Sequence, residues 1–290
     1  DDADPAGRLV MPRAPVANLW QGILPALVLM AGFFLLPILY TLGLSLTSEG
    51  APGLTLANYQ NFMAEATLTD ALLRSLILAL SVVAIATLIA WPLAWYLAFC
   101  VSARRRVLLL FVLVAPFWTS FTIRAFSWQM VLADSGIVGT VMRWVAGPDA
   151  SLGFLYSLPA SIFGLTLFGI MLITLMIYSS MVTIDRRLIE ANAVLGGTGW
   201  TAFREVVLPL ALPGWIIGAA LTFIVAVGDY AVPTLLGGGL QPVLAQVMLS
   251  VLKGTYDLPM AATLASVLVI VILLCVAPLL LLVRGTRLQS

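Results

Sequence analysis

Six stretches of this 290-residue chain are apolar for long enough to cross a bilayer. They fall at about residues 23–46, 75–100, 107–123, 154–182, 212–235 and 260–283. A helix needs about 20 apolar residues to traverse the hydrocarbon core. Every backbone N–H and C=O within that core must be satisfied inside the segment, which leaves helices rather than open strands. Composition agrees: 62% of residues are hydrophobic and 9% are charged, against roughly a quarter charged in a soluble domain. The predicted fold class is all-α and polytopic. It has an N-terminal segment over 1–22, a membrane domain over 23–283 and a tail over 284–290. The first apolar run follows polar sequence and is too long for the core of a cleavable leader, so it is read as a span.

Basic residues orient the spans. Arg8, Arg13, Arg104, Arg105, Arg106, Arg186, Arg187, Arg204, Arg284 and Arg287 fall on one side, ten of the 14 Lys and Arg. Arg74, Arg124, Arg143 and Lys253 fall on the other. Both termini are therefore expected in the cytoplasm. The two long loops on the far side carry Glu49, Glu65, Asp70, Asp134 and Asp149. Within them, residues 125–145 place Trp, Met and Val at helical spacing and read as amphipathic.

Several function classes lack their parts. The chain has no His, which removes the commonest general base and metal ligand. No catalytic or metal set is expected. Cys100 and Cys275 lie far apart in apolar runs and read as small core residues, not a pair. A net charge of +1 implies no pull on nucleic acid. An ion-coupled carrier exposes ionisable groups near the midplane. Here Asp229, near the outer half of the fifth run, is the one acid embedded in apolar sequence. An intramembrane enzyme would need a Ser/His dyad or a paired-acid site, and neither can be built.

The most informative polar stretch is residues 190–213, EANAVLGGTGWTAFREVVLPLALP. Residues 188–195 predict a short helix, and Gly196, Gly197 and Gly199 allow a sharp turn. Residues 200–207 predict a second short helix. Pro209 and Pro213 are expected to break or kink the chain as it returns to the membrane. Two uses are open on physical grounds: docking into a groove on a soluble partner, or an ordinary interfacial amphipathic helix.

The stretch resembles the EAA motif of bacterial ABC importer permeases. It carries Glu190, Ala191 and Asn192, then Gly196, then Val206, Leu208 and Pro209, at the motif's spacing. Asn192 and Val206 depart from the motif's Ala and Ile. The resemblance implies a type I importer permease with a coupling loop over about 185–209. In that loop Glu190, Ala191, Asn192, Ala193, Gly196, Gly197, Leu208 and Pro209 would serve the contact with a separate ATPase. This chain has no G-x-x-x-x-G-K-[ST] loop of its own, and its only lysine is Lys253. No cofactor is expected in this chain; ATP and Mg belong on the partner ATPase.

Further stretches extend the likeness. Asn58-Tyr59, PFWTSFTIRAFSW over 116–128, GDYAVPTLLGGG over 228–239 and DLPMAA over 257–262 resemble the spermidine/putrescine permease subfamily, and more its first permease than its second. That resemblance implies a bacterial inner-membrane heterodimer with a second permease. Two ATPase subunits would bind below it, and an extracytoplasmic substrate-binding protein would dock above. A polyamine is the implied substrate. Another small organic ion (a phosphonate, an opine or an amino-acid-like compound) is the alternative within the same mechanism. A cation pathway wants carboxylates and aromatic faces, and Trp118, Phe121, Asp229 and Tyr230 are the candidates for it. Arg124 argues against a simple cation path if it faces the lumen; snorkelling to headgroups or a contact with the binding protein are its other uses.

Overall fold

The computed structural model describes residues 16–48, 53–147 and 153–287. Arg8, Arg13, Glu49, Asp149 and most of the expected N-terminal segment lie outside them. Among the described residues fourteen α-helices follow in order. They are α1 Val16–Met30, α2 Leu36–Ser45, α3 Ala57–Ala64, α4 Ala66–Trp95, α5 Ala103–Val114, α6 Phe121–Leu132 and α7 Ile137–Ala146. The second half holds α8 Leu158–Met181, α9 Arg186–Val194, α10 Gly199–Ala202, α11 Leu208–Gly228, α12 Ala231–Leu236, α13 Leu244–Gly254 and α14 Leu258–Arg287. Short π segments join α1 to α2, extend α4 to Cys100, and join α10 to α11.

Five of the six expected spans are continuous apolar helices, and the third is a bent pair. The second span starts at Ala66, well before residue 75, and is 35 residues long to Cys100. Its outer turns carry Thr67, Asp70 and Arg74, which hydropathy alone assigns to a loop. The third span begins at Ala103 and ends at Trp118, where the chain turns by 91° into the segment Phe121–Ala146. Residues 119–123 therefore do not continue it. Pro116 withdraws a donor near the break, and Thr119 and Ser120 are extended. The carbonyl of Pro116, left without a helical partner, accepts the Thr119 hydroxyl at 2.7 Å and an Arg124 guanidinium nitrogen at 3.1 Å.

The fifth span also differs from expectation. It runs unbroken from Gly199 to Gly228, so Pro209 and Pro213 do not break it. Pro209 has no N–H for the carbonyl of Glu205. The wider π turn over Phe203–Val207 absorbs that missing bond before α11 begins. At the outer end the helix stops at Gly228 rather than near residue 235, and α12 is a separate short helix.

The core is the triad α4, α8 and α11. Lipid is as apolar as Leu, so close packing between spans depends on small residues. On α4 the buried row Val82, Ala86, Ala90 and Ala94 recurs every four residues. On α11, Gly214 and Gly218 sit against α8 so tightly that a Cβ at Gly214 would meet the carbonyl oxygen of Met176 at 2.3 Å. Gly169 lies where all three meet, with Thr222 and Ala86 in reach of any added Cβ. One polar tie crosses the triad, where Trp215 donates its indole N–H to the Thr87 hydroxyl at 3.0 Å; another joins α13 to α4, the buried Ser75 hydroxyl accepting the Leu244 amide at 2.9 Å. Cys100 and Cys275 are both exposed. They are surface residues of spanning helices, facing outward where a core was expected, because a bilayer accepts apolar side chains on the outside.

Candidate functional site

The loop between α8 and α11 is built from the residues upward. Asp185 caps α9, its carboxylate accepting the Arg187 amide at 2.9 Å. Ile189 packs against the inner core cluster. The rest of α9 stands clear: Leu188 is exposed, and Val194 and Leu195 at its tip are 87% and 88% exposed. Glu190, Ala191, Ala193 and Gly196 are exposed with them. Gly196 turns the chain at φ +83°, a conformation that disfavours any Cβ.

Asn192, the motif's departure, has a use at this turn. Its side-chain oxygen accepts the Thr201 hydroxyl at 3.1 Å, and its backbone carbonyl accepts the Gly197 amide at 2.9 Å. A Cβ at Gly197 would come within 2.0 Å of that same side-chain oxygen. Asn192 and Gly197 thus lock α9 to α10 and are only partly exposed. Leu208 and Pro209 open α11, within the spanning helix and apart from the exposed face of α9.

Sequence reasoning missed what anchors the loop to the bundle. Trp91, Trp95 and Phe99 recur every four residues along the inner end of α4 and its π extension. Phe203 meets Trp91 and Trp95 edge to face, at 5.6 and 5.7 Å between ring centres. Trp200 stacks on Phe203 at 5.5 Å. The i, i+4, i+8 spacing of the three α4 aromatics was the available signal; nothing in the sequence paired them with Phe203. Beside this cluster Arg106 turns back onto the end of the same segment, donating to the carbonyls of Ala98 and Val101. Arg104 and Arg105 remain exposed.

At the opposite end, Phe121, Phe168, Ile224, Val225, Gly228 and Asp229 line an open cleft of about 450 Å³. Asp229 ends α11 and starts α12, one carboxylate oxygen accepting the Val232 amide at 2.8 Å. Phe121 and Phe168 meet edge to face at 6.0 Å. The structure therefore brings Phe121 and Asp229 together. It does not bring Trp118 into the cleft. That ring is 75% exposed and packs on Phe111. Tyr230 points outward and is half exposed. Arg124 lies over the rings of Phe117 and Phe121, at 4.2 and 5.2 Å, so a face of Phe121 already holds a cation. The remaining resemblance stretches serve as ties. Asn58 donates to the Thr47 carbonyl, Tyr59 shares a hydrogen bond with Ser45, and Asp257 caps the first turn of α14 at Met260.

No family model matches the chain. It is 31% identical over 244 residues to the spermidine/putrescine transport system permease protein PotB of Escherichia coli K12, covering 82% of this chain and 88% of that protein. The PotB of Haemophilus influenzae is 33% identical over 234 residues, covering 77% and 80%. In fold, the chain resembles a subunit of a bacterial alginate ABC transporter solved in complex with a periplasmic protein carrying an alginate pentasaccharide. That likeness has a TM-score of 0.71 at 14% identity and covers 90% of this chain and 92% of that one.

Proposed function

We propose that this chain, which belongs to the ABC importer permeases of the PotB type, forms half of the membrane pathway of an ATP-driven polyamine importer. One observation carries the coupling role. α9 holds Leu188, Val194 and Leu195 out of the fold while Asn192 locks α9 to α10 and Phe203 binds the loop to α4. An apolar tip on a rigid mount suits a groove on a soluble motor protein, and a rigid mount passes displacement to α4 and α11.

In this reading Glu190, Ala191, Ala193 and Gly196 form the surface offered to the ATPase, and Asn192 and Gly197 set its shape. Leu208 and Pro209 sit where the loop joins the span. ATP and Mg are held by the two ATPase subunits. A second, related permease completes the pathway, a binding protein delivers substrate to the outer face, and both termini face the cytoplasm of a bacterial cell. Coupling requires that nucleotide and loaded binding protein favour different states of the permease pair. The cleft at Asp229 supplies a carboxylate near the outer end of α11, and Phe168 offers an aromatic face beside it. Arg124, held on Phe117 and Phe121, repels a second cation from that side and so steers a polycation toward Asp229.

Uptake of labelled spermidine and putrescine into proteoliposomes of the assembled transporter tests this reading. Uptake that requires internal ATP and external binding protein supports it. Uptake driven by an ion gradient without ATP contradicts it, and ATP-dependent uptake of a different small organic ion leaves the mechanism and removes the polyamine.

A further inference from the structure

Two amphipathic helices lie in the loops on the side away from α9, and they face opposite ways. α13 turns Leu244, Ala245, Val247, Met248 and Val251 into the core and leaves Ser250 and Lys253 exposed, with Leu252 at the margin. That is how a loop helix in water is arranged. α7 does the reverse. Its exposed residues are Ile137, Thr140, Val141, Trp144 and Val145, an i, i+3, i+4, i+7, i+8 stripe that is apolar but for one Thr, and the terminal Ala146. Trp144 is 87% exposed. α6 continues the pattern with Ile123, Phe126 and Met130 exposed.

The two arginines of this segment fold back onto nearby backbone and rings. Arg143 folds back to the Asp134 carbonyl and the Thr140 hydroxyl. Arg124 folds back to the Pro116 carbonyl and two aromatic rings. The segment also leaves the spanning helix α5 at 91°. A chain that turns through a right angle at the end of a span runs along the bilayer surface. A helix there with an apolar outward stripe and an exposed Trp has the features of an in-plane interfacial helix. α5 likewise exposes Val107, Leu108, Phe111 and Val112.

We infer that α6 and α7 form an in-plane anchor whose outward stripe, centred on Val141 and Trp144, is immersed at the headgroup–acyl boundary of the leaflet opposite α9. The anchor fixes the angle of the α5–α6 bend, and with it Phe121 at the mouth of the Asp229 cleft. This inference rests on α5 spanning the bilayer and not on what is transported.

The test is site-directed spin labelling of the assembled transporter in vesicles of phosphatidylethanolamine and phosphatidylglycerol. Cys100 and Cys275 are first replaced by Ser. Single cysteines are then introduced as V141C, S250C and L88C, the last on the exposed face of α4 within the spanning run. At V141C, collision with oxygen should exceed collision with a water-soluble nickel chelate several-fold, as at L88C, with the opposite ratio at S250C. A V141C label open to nickel like S250C overturns the inference, and so does one closed to both reagents, which would mean protein covers the stripe. A photoreactive benzoylphenylalanine in place of Trp144 checks the result without a nitroxide. Cross-links to phospholipid support the anchor, and cross-links to a protein subunit refute it.

Discussion

Gly197→Ala offers the sharpest test of how the exposed loop is held. The added Cβ would lie 2.0 Å from the Asn192 side-chain oxygen and 2.7 Å from its backbone carbonyl oxygen. The first clash is relieved by swinging the amide away, which gives up the Thr201 hydrogen bond at about 1 kcal/mol. The second is with backbone and needs a main-chain shift, roughly 1–3 kcal/mol by analogy with overpacked sites. The sum is about 2–4 kcal/mol on a small local element, or about one and a half to three decades in the equilibrium between set and unset turn. Gly199→Ala is the control, because nothing lies within 4 Å of a Cβ there. Trypsin reports on the loop directly, since Arg186, Arg187 and Arg204 flank it and cleavage follows the open population when opening is fast. Cleavage should rise at least tenfold in G197A and stay within twofold in G199A, with helix content by circular dichroism unchanged in both. Equal cleavage in the two variants would refute the geometric argument.

Four further outcomes follow from the same geometry. Asn192→Ala restores the residue usual in the motif yet should loosen the turn, raising trypsin cleavage severalfold through loss of a bond worth about 1 kcal/mol. Gly214→Val, placing a side chain against the Met176 carbonyl, should prevent α8 and α11 from closing and abolish the monodisperse peak in size-exclusion chromatography. Trp215→Phe strands the Thr87 hydroxyl and should lower the melting temperature in detergent, at a cost of about 1 kcal/mol. Asp229→Asn keeps an acceptor for the Val232 amide but removes the charge, so uptake of a polycation should fall while the melting temperature holds; equal uptake would remove Asp229 from the pathway.

Hydropathy located the spans because the bilayer requires length and apolarity and little else. It failed where a local event decides the boundary. Nothing in the apolar run 107–123 says that Thr119 and Ser120 extend and that Arg124 caps the Pro116 carbonyl from beyond the break. Pro209 and Pro213 signal a kink in sequence, but a π turn upstream absorbs Pro209 and the helix goes on. Charge at Asp70 and Arg74 hid the outer turns of α4. In the loop, the glycine turn was legible from spacing. The part played by Asn192 was not, because its partner Thr201 belongs to the next helix. The cleft was half legible: Phe121 and Asp229 meet in space, whereas Trp118 and Tyr230 satisfied the chemistry and not the direction.

The most direct measurement of the central claim is ATPase activity of this permease purified with its companion subunits in lipid, with and without a binding protein loaded with spermidine or putrescine. The account predicts copurification with an ATPase whose activity rises only when loaded binding protein is present. A chain that brings down no ATPase, or an ATPase indifferent to the loaded binding protein, would contradict it.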